Sequence, residues 1–454
     1  MAEVNSEGSH PDGWPGQLWL EGRTVVHLLE EQERPTHMPR GPAKRTGPGF
    51  LNPAMAPART RSVLLLNDAL EHDWLVNEDK SIRVLDALCA TGVRIRRWRN
   101  EIPSQSQNRL RITANDLDAF ALNWARQSHS THPPHQTIEH EPEDDRYGKT
   151  SNQVFENGLD FRQMDARIAM LETGYQWIDL DPFGSPVQFL DAALQGLSRT
   201  GVLEITATDT AALTGSSASS QARRYGAKGI VDVYAHDDAV RLLLATVATS
   251  AARLDKTVIP LLALFDGHHV RVSCLIKTSR EKASQVGENI GWRIREDDVP
   301  YRFVQHPTPE QVKRGSGPMW TGPLWNKEVA ERMTVEKALE LCQPSSKELE
   351  SLRRSGLEWS DDDVEYSTRE LKRSVRYISD AADLMSREHL LLNLDALPKW
   401  AGVGGAPKLE KLIVSLVESG YAAARLPDIE PLMVTDAPFE TVLEHVRNTT
   451  TSTK

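Results

Sequence analysis

Residues 81–128 have the sequence SIRVLDALCATGVRIRRWRNEIPSQSQNRLRITANDLDAFALNWARQS, and this stretch decides the fold class. Two apolar runs, 81–88 and 109–115, predict buried strands, and each is followed by a segment with helical periodicity, 93–101 and 119–128. Alternation of strand and helix is typical of a parallel sheet with crossover helices. The stretch therefore predicts an α/β domain.

The same alternation continues beyond this stretch, and then the character of the chain changes. Helices are also predicted at 62–76 and 186–198. Further strands are predicted at 161–165, 177–179 and 201–208, followed by an antiparallel pair at 258–265 and 270–278. After about residue 283, a helix at 408–420 and a strand at 421–426 predict a smaller appended module. We predict three regions: a partly disordered extension at 1–48, a main domain at 49–282 with an insertion loop at 129–153, and an α+β domain at 283–454.

The overall charge disfavours nucleic acid as a partner, but the distribution of charge does not. The 454 residues are 39% hydrophobic and 26% charged, as expected of a folded globular protein, and the net charge is −11. Phosphate contacts need a positive surface. Between residues 35 and 67 the chain has basic residues and no acidic ones, and this segment predicts a local basic surface. Its basic residues are Arg40, Lys44, Arg45, Arg59 and Arg61.

Cysteine and histidine usage limits the kinds of site that are expected. The cysteines Cys89, Cys274 and Cys342 form no CxxC pair, so neither a disulfide framework nor a zinc ribbon is indicated. No signal-peptide pattern or membrane-length apolar run is present, and we predict a cytoplasmic protein. A solvated loop is favoured over a metal site in the insertion, and we predict no metal. The histidines there are His129, His132, His135 and His140.

The sequence DLDPFGSP at 179–186 follows a short apolar run and predicts a site for a flat base. Pro182 has a fixed φ and biases Asp181 toward an extended backbone, while Gly184 allows the chain to bend. A carboxylate from Asp181, the carbonyl of Pro182 and the exposed ring of Phe183 would then meet at the end of a strand. This set suits a base with an exocyclic amine, although an ordinary turn after a strand has the same local pattern.

Acidic residues at the ends of three successive predicted strands indicate a nucleoside-containing cofactor. Asp86 ends the first strand, and Gly92 then allows a ligand to approach the start of the next helix. No GxGxxG pattern is present, so a dinucleotide is disfavoured. Asp116 can accept hydrogen bonds from both ribose hydroxyls, and Asp165 can reach an adenine amine. Each acid alone is often a helix cap, but the ordered set predicts S-adenosylmethionine.

Six blocks of the chain, in order, resemble the archaeal and eukaryotic tRNA guanine-26 N2-dimethyltransferases. They span most of residues 50–330. The blocks are FLNPAM at 50–55 with Arg59, LDALCATGVR at 85–94, ANDL at 114–117, IDLDPFGSP at 178–186, TATD at 206–209 and GPMWTGP at 317–323. The resemblance implies a class I Rossmann-like, S-adenosylmethionine-dependent methyltransferase domain at 49–282 and a tRNA-binding domain at 283–454.

The resemblance also implies roles for particular residues. It implies that Asp181, with Pro182 and Phe183, is catalytic in methyl transfer to the exocyclic amine of the substrate. It further implies contact with S-adenosylmethionine by Arg59, Arg94 and Asp116, a position near the adenine for Asp165, and a guanine pocket lined by Phe50 and Phe183. The strand-end pattern adds Asp86 and Gly92 to the cofactor site, and the basic segment that includes Arg61 is expected to contact RNA. The family often has an acidic residue where this chain has Thr60.

Two other interpretations stay open. Asp-Pro-Phe-Gly also resembles the motif of amino methyltransferases that act on adenine or on other RNA positions, although the blocks at 50–62 and 206–209 favour the tRNA guanine family. Alternatively, the chain is a non-catalytic, methyltransferase-like RNA-binding protein, which the intact Asp116, Asp181 and Phe183 disfavour. No obligate protein partner is implied.

Overall fold

The computed structural model describes residues 17–28, 51–76, 80–131, 153–156, 158–354, 361–427 and 431–451. Contacts between residues group the chain into two compact units. The first unit comprises Met1–Asp181, Asp191–Glu204 and Met333–Val375, and the second comprises Pro182–Leu190, Ile205–Arg332 and Arg376–Lys454. The domain boundaries at residues 48 and 282 come from sequence patterns and not from contacts. They stay a prediction.

The described residues form sixteen strands and nineteen α-helices. The strands are β1 Gln17–Glu21, β2 Thr24–Leu28, β3 Ile82–Asp86, β4 Leu110–Asp116, β5 Gln153–Glu156, β6 Leu159–Gln163, β7 Tyr175–Leu180, β8 Leu197–Ala207, β9 Lys256–Phe265, β10 Val270–Thr278, β11 Ile290–Ile294, β12 Arg302–Val304, β13 Gly315–Trp320, β14 Leu390–Asn393, β15 Ala423–Arg425 and β16 Leu432–Thr435. The helices are α1 Ala56–Glu71, α2 Val93–Glu101, α3 Ser104–Gln107, α4 Ala119–Thr131, α5 Ala166–Leu171, α6 Leu190–Gly196, α7 Thr210–Leu213, α8 Ala218–Tyr225, α9 Ala235–Ala252, α10 Arg280–Ser284, α11 Pro309–Lys313, α12 Lys327–Glu331, α13 Val335–Cys342, α14 Ser346–Arg354, α15 Asp361–Val375, α16 Ile378–Met385, α17 Leu397–Ala401, α18 Leu409–Glu418 and α19 Phe439–Thr451.

The largest sheet has the strand order β5-β6-β4-β3-β7-β8-β10-β9. Strands β6, β4, β3 and β7 pair in parallel, and β5 pairs antiparallel with β6. The predicted parallel sheet with crossover helices is therefore confirmed. The chain proceeds from β3 outward through β4 and β6, then returns to place β7 on the other side of β3. This reversal is a topological switch point, where open α/β sheets bind ligands at the carboxyl ends of their strands.

In the first unit, the predicted helix at 62–76 is shifted toward the N-terminus. Helix α1 begins at Ala56, with a proline in its first turn, where the missing N–H costs no helical hydrogen bond. It ends at Glu71, just before Asp73, whose φ of +50° is incompatible with a continuing helix. The predicted helix at 186–198 is also shorter, because α6 ends at Gly196 and β8 begins at Leu197.

In the second unit, β9 and β10 form the predicted antiparallel pair, with Val270 opposite Phe265. The predicted C-terminal helix and strand are confirmed as α18 and β15. Strand β15 belongs to a three-stranded sheet with the order β14-β16-β15, and a third sheet has the order β12-β11-β13. Leu412, Met433 and Val442 are fully buried within one core cluster of this unit.

Parts of the predicted N-terminal extension and of the insertion are described. Strands β1 and β2 form an antiparallel hairpin within the predicted extension. His129 lies buried at the end of α4, with its ring centroid 6.1 Å from that of Phe161, whereas His132, His135 and His140 lie outside the described residues. Among the helices of the described ranges, none is long and apolar enough to cross a membrane.

Candidate active site

The loop between β3 and α2 depends on a glycine. Gly92 is the N-cap of α2 and has a φ of +71°, a backbone conformation that residues other than glycine rarely adopt. A Cβ atom there would lie 2.8 Å from Cβ of Ala125. The N–H of Ala90 donates to Oδ2 of Asp116 over 2.9 Å, so the loop is held against the end of β4. The prediction that Gly92 opens this helix is confirmed.

Substituting Gly92 should destabilise the fold through both strain and overlap. Gly402 is a matched control, because its φ is +69° and a Cβ there would meet no atom within 4 Å. Gly402→Ala should cost about 1–2 kcal/mol through backbone strain alone. Gly92→Ala should cost about 1–3 kcal/mol more, since the added methyl overlaps its neighbour. Urea denaturation measures both values, and equal losses would contradict the packing argument.

Asp116 is the last residue of β4, as predicted, and both of its carboxylate oxygens accept backbone hydrogen bonds. Oδ2 accepts from Ala90, and Oδ1 accepts from the N–H of Asp118 at 2.9 Å. Burial raises the pKa of Asp116, and these backbone donors partly offset that effect. The carboxylate is therefore held in one orientation at the end of its strand, with its remaining lone pairs available to a ligand.

Three carboxyl groups surround one guanidinium at the switch point. Asp86 and Asp179 are register partners on β3 and β7. Arg94, in the first turn of α2, places Nε 3.2 Å from Oδ1 of Asp179 and donates from Nη2 to Oδ2 of Asp181 at 2.8 Å. Asp179 and Asp181 are two residues apart, the spacing at which side chains of a strand share one face. Arg94 therefore connects the start of α2 to the end of β7.

The charge of this cluster is unbalanced toward the acidic side. Burial raises the pKa of Asp86 well above its usual value, and the neighbouring Asp179 raises it further, while Arg94 acts in the opposite direction. Among the described residues, the hydrogen-bond partner of Asp181 is Arg94, which binds Oδ2. Oδ1 of Asp181 is therefore open to a ligand. The cluster can therefore accept an additional positive or proton-donating group.

The residues at the switch point fit a zwitterionic, positively charged cofactor. Nη1 of Arg94 is buried and has no hydrogen-bond partner among the described residues, so it is a donor available to a ligand carboxylate. The excess of carboxyl groups beside it suits an ammonium or a sulfonium. Asp116, at the end of the next strand, is an acceptor for hydroxyl groups. This donor set is complementary to the amino-acid and ribose parts of S-adenosylmethionine.

Asp165 lies two residues after β6 and is the N-cap of α5. Its carboxylate accepts from the N–H of Arg167 and pairs with the guanidinium of the same residue at 2.6 Å. The hydrogen bonds from Arg167 lower the pKa of Asp165 to about 2. Asp165 therefore caps α5 in the structure. The contact of Asp165 with an adenine stays a prediction.

Two substitutions of Asp165 separate capping from ligand contact. Asp165→Ala should cost about 1 kcal/mol of stability, and Asp165→Ser should cost little because serine also caps helices. Since the folded-state pKa is lowered, the stabilisation by Asp165 is present above the unfolded pKa and is lost as the pH falls toward 2. Thermal unfolding and calorimetric titration with S-adenosylmethionine measure the two properties. If Asp165 contacts the adenine, both variants bind more weakly; unchanged affinity in both would leave only the cap.

Arg59 and Arg61 are buried in α1, and the structure gives both of them protein partners. Arg59 pairs with Glu21 of β1 through two hydrogen bonds of 2.6 Å. Arg61 donates to the carbonyl of Ser374 at 3.0 Å. Their predicted contacts with cofactor and RNA therefore stay predictions. Phe50 lies outside the described residues.

The turn that follows Asp181 presents an aromatic ring to solvent. Phe183 is 63% exposed, as predicted, and Gly184 has a φ of +79°. The N–H of Gly184 donates to Oγ1 of Thr208 over 2.7 Å. Pro182 and Phe183 directly follow Asp181 in the chain, so the acidic acceptor, the carbonyl and the ring are consecutive, as the sequence predicts.

Sequence reasoning missed several residues that the structure places around these groups. Asp179 binds Arg94, a contact that is not predicted from the sequence, although an acid two residues before Asp181 in an apolar strand is an available signal. Thr208 belongs to the TATD block, and the sequence predicts no contact between this residue and Gly184. Tyr225 bonds to Ser185 across forty positions of sequence, and no local pattern indicated it.

Known proteins are similar to this chain over most of its length. A sequence model of the family described as N2,N2-dimethylguanosine tRNA methyltransferase matches residues 30–391. The chain is 30% identical to the tRNA (guanine(26)-N(2))-dimethyltransferase of Pyrococcus furiosus, over 90% of this chain and 95% of the relative. It is 28% identical to the enzyme of the same name from Pyrococcus abyssi, over 92% of this chain and 97% of the relative.

A solved structure shares the fold. The structure of Trm1 from Pyrococcus horikoshii with S-adenosyl-L-methionine superposes with a TM-score of 0.70 at 24% sequence identity, covering 95% of this chain and 99% of that one. This likeness confirms the predicted class of fold, a Rossmann-like α/β domain with a smaller C-terminal α+β domain.

Proposed function

The chain belongs to the N2,N2-dimethylguanosine tRNA methyltransferase family, and on that premise we propose that it dimethylates the exocyclic N2 amine of guanosine 26 in tRNA, with S-adenosylmethionine as the methyl donor. The observation that carries the proposal is the position of Asp181. Its Oδ2 is held by Arg94, its Oδ1 is open to a ligand, and Pro182 and the exposed Phe183 follow it directly. This is the arrangement that an aromatic amine substrate needs.

S-adenosylmethionine, when bound, supplies an electrophilic methyl group on a sulfonium. The residues that would hold it are those at the switch point. Nη1 of Arg94 would bind the carboxylate, and the acidic residues around Arg94 would stabilise the positive charges. Asp116 would accept hydrogen bonds from the ribose, and Asp165 would lie near the adenine. Gly92 would allow close approach of the ligand to the backbone.

Asp181 is assigned the role of proton acceptor from the amine. The lone pair of the guanine N2 is delocalised into the ring, so the amine is a poor nucleophile and its protons become acidic as it forms a new bond. A carboxylate within hydrogen-bond reach removes such a proton and aligns the amine. Arg94 keeps the carboxyl group in one orientation through a charge-assisted hydrogen bond. The carbonyl of Pro182 supplies a second acceptor.

Phe183 is assigned the role of stacking surface for the target base. Aromatic side chains bind unstacked RNA bases on their faces, and the side chain of Phe183 is 63% exposed. Guanosine 26 lies at a junction of stems inside the tRNA fold, so the base must be flipped out to reach Asp181. We propose that the region 283–454 holds the tRNA through its backbone and shape, and that the enzyme acts in the cytoplasm.

Methylation of defined transcripts tests the proposal. Purified protein is incubated with labelled S-adenosylmethionine and unmodified tRNA transcripts that contain either guanosine or adenosine at position 26, and the RNA is digested to nucleosides. N2,N2-dimethylguanosine only in the guanosine-26 transcripts is the expected result. Label at another guanosine or at an adenosine would support the alternative RNA substrate. Cofactor binding without any transfer would support the non-catalytic interpretation.

A further inference from the structure

The turn that presents Phe183 is clamped by Thr208. The N–H of Gly184 donates to Oγ1 of Thr208 at 2.7 Å, and the carbonyl of Gly184 accepts from the N–H of Thr208 at 2.9 Å. The positive φ of Gly184 allows both of its backbone groups to face the same neighbour. Residue 184, immediately after the ring of Phe183, is therefore held by two hydrogen bonds to the same neighbour.

Tyr225 holds the next residue of the turn. Its hydroxyl donates to Oδ1 of Asp209 at 2.7 Å, and a phenol has a single proton. The hydroxyl of Ser185, 3.0 Å away, must therefore donate to the oxygen of Tyr225. Burial raises the pKa of Tyr225, which keeps the phenol protonated and the direction of the chain unchanged. The turn is thus connected through Ser185 and Tyr225 to Asp209.

Asp209 precedes helix α7, but its side chain binds Tyr225 and Arg224 instead of capping that helix. It is the N-cap of α7, where an aspartate side chain ordinarily accepts a hydrogen bond from the first turn, but here no such bond is made. Instead, Oδ1 accepts from Tyr225, and Oδ2 accepts from Arg224 at 2.8 Å. Helix α8 ends at Tyr225 because Gly226, with a φ of +62°, follows it. The side chain of Asp209 therefore orients Tyr225 and does not cap α7.

We propose that Tyr225, oriented by Asp209, is a positioning residue for the target base. It fixes Ser185 as Thr208 fixes Gly184, and together they set the direction in which Phe183 presents its ring. This inference rests on the proposed function, because it assigns these residues to recognition of the guanine. It adds a second requirement for activity that lies outside the cofactor site.

Tyr225→Phe removes one hydroxyl and keeps the ring, and it is tested together with Ser185→Ala, which removes the same hydrogen bond from the other side. Tyr366→Phe is the matched control, at a tyrosine that is 39% exposed on α15. Amide hydrogen exchange of the segment 182–189 and steady-state kinetics are measured for each protein. Both test variants should exchange faster in this segment. Their kcat should fall about 10- to 100-fold, as expected for a small misplacement of reacting groups.

The affinity for S-adenosylmethionine should stay at its original value, and the melting temperature should fall by no more than the small amount expected for the lost hydrogen bonds, which distinguishes positioning from a general loss of structure. A double variant should be no slower than the slower single one, since both lose the same bond. Unchanged hydrogen exchange, or faster exchange with undiminished kcat, would overturn the inference. If the unaltered protein fails to methylate tRNA, the proposed function fails, and hydrogen exchange still decides whether Tyr225 holds the turn.

Discussion

Replacing Asp181 by alanine should abolish measurable methylation of tRNA while leaving S-adenosylmethionine bound. Positioned proton acceptors contribute about 10²–10⁴-fold to rate, so a loss in kcat of that size is expected. Asp181 is also the acceptor that orients the amine, which places the loss toward the upper end. Binding should persist because Arg94 keeps Asp179 as a partner, with its Nε 3.2 Å from Oδ1 of Asp179.

Asp181→Asn is the informative companion variant. Its side-chain oxygen can still accept from Arg94, so the local geometry is preserved, but the group can no longer take a proton. Both variants should therefore have similarly low kcat in the tRNA assay, with near-original affinity by calorimetry. Substantial activity in Asp181→Asn would show that acceptance of a hydrogen bond is sufficient. Full activity in Asp181→Ala would remove Asp181 from the mechanism.

Neutralising Glu101 should cause a large loss of stability. Arg97 and Glu101 of α2 form an ion pair at 2.8 Å in which neither side chain is exposed. Arg97 also contacts Glu21 at 3.2 Å, and Glu21 pairs with Arg59, so four buried charges balance one another across β1, α1 and α2. Thr60 accepts a further hydrogen bond from Arg97. Glu101→Gln leaves a buried cation with half of its compensation.

The expected cost of Glu101→Gln is about 3–5 kcal/mol, the usual range when one partner of a buried pair is removed. Asp298→Asn is the control, because its pair with Arg302 has the same spacing along the chain but is largely exposed. That substitution should cost at most about 1 kcal/mol. Urea denaturation of both variants measures the difference. A loss below that of the control would mean that the hydrogen-bonded glutamine suffices and that the charge of Glu101 is dispensable.

The proposed roles divide the site into two functions with separable readouts. Variants around Arg94 and Asp116 should change the affinity for S-adenosylmethionine, whereas variants around Phe183 and Tyr225 should change kcat with the cofactor still bound. Asp181 belongs to both neighbourhoods, through its hydrogen bond to Arg94 and its place before Pro182. The ordered acids therefore indicate the cofactor, and the Asp-Pro-Phe-Gly motif indicates the base.

The amino-acid sequence by itself determined the features that depend on neighbouring residues. Helix α2 spans the predicted Val93–Glu101, and Asp86 and Asp116 end their strands, because apolar periodicity and a glycine at the N-cap are local signals. The exposed ring of Phe183 likewise follows from the proline and glycine on either side of it. These signals were also sufficient to identify the family.

Only the tertiary structure decided which distant groups meet. The pairing of Arg59 with Glu21, the register of Asp86 with Asp179 and the bond between Ser185 and Tyr225 join segments that are far apart in the chain. Such contacts depend on how sheet register and helix packing bring side chains together, which local periodicity does not encode. For the same reason, two arginines in a basic stretch of sequence are buried and bonded within the protein in the folded chain.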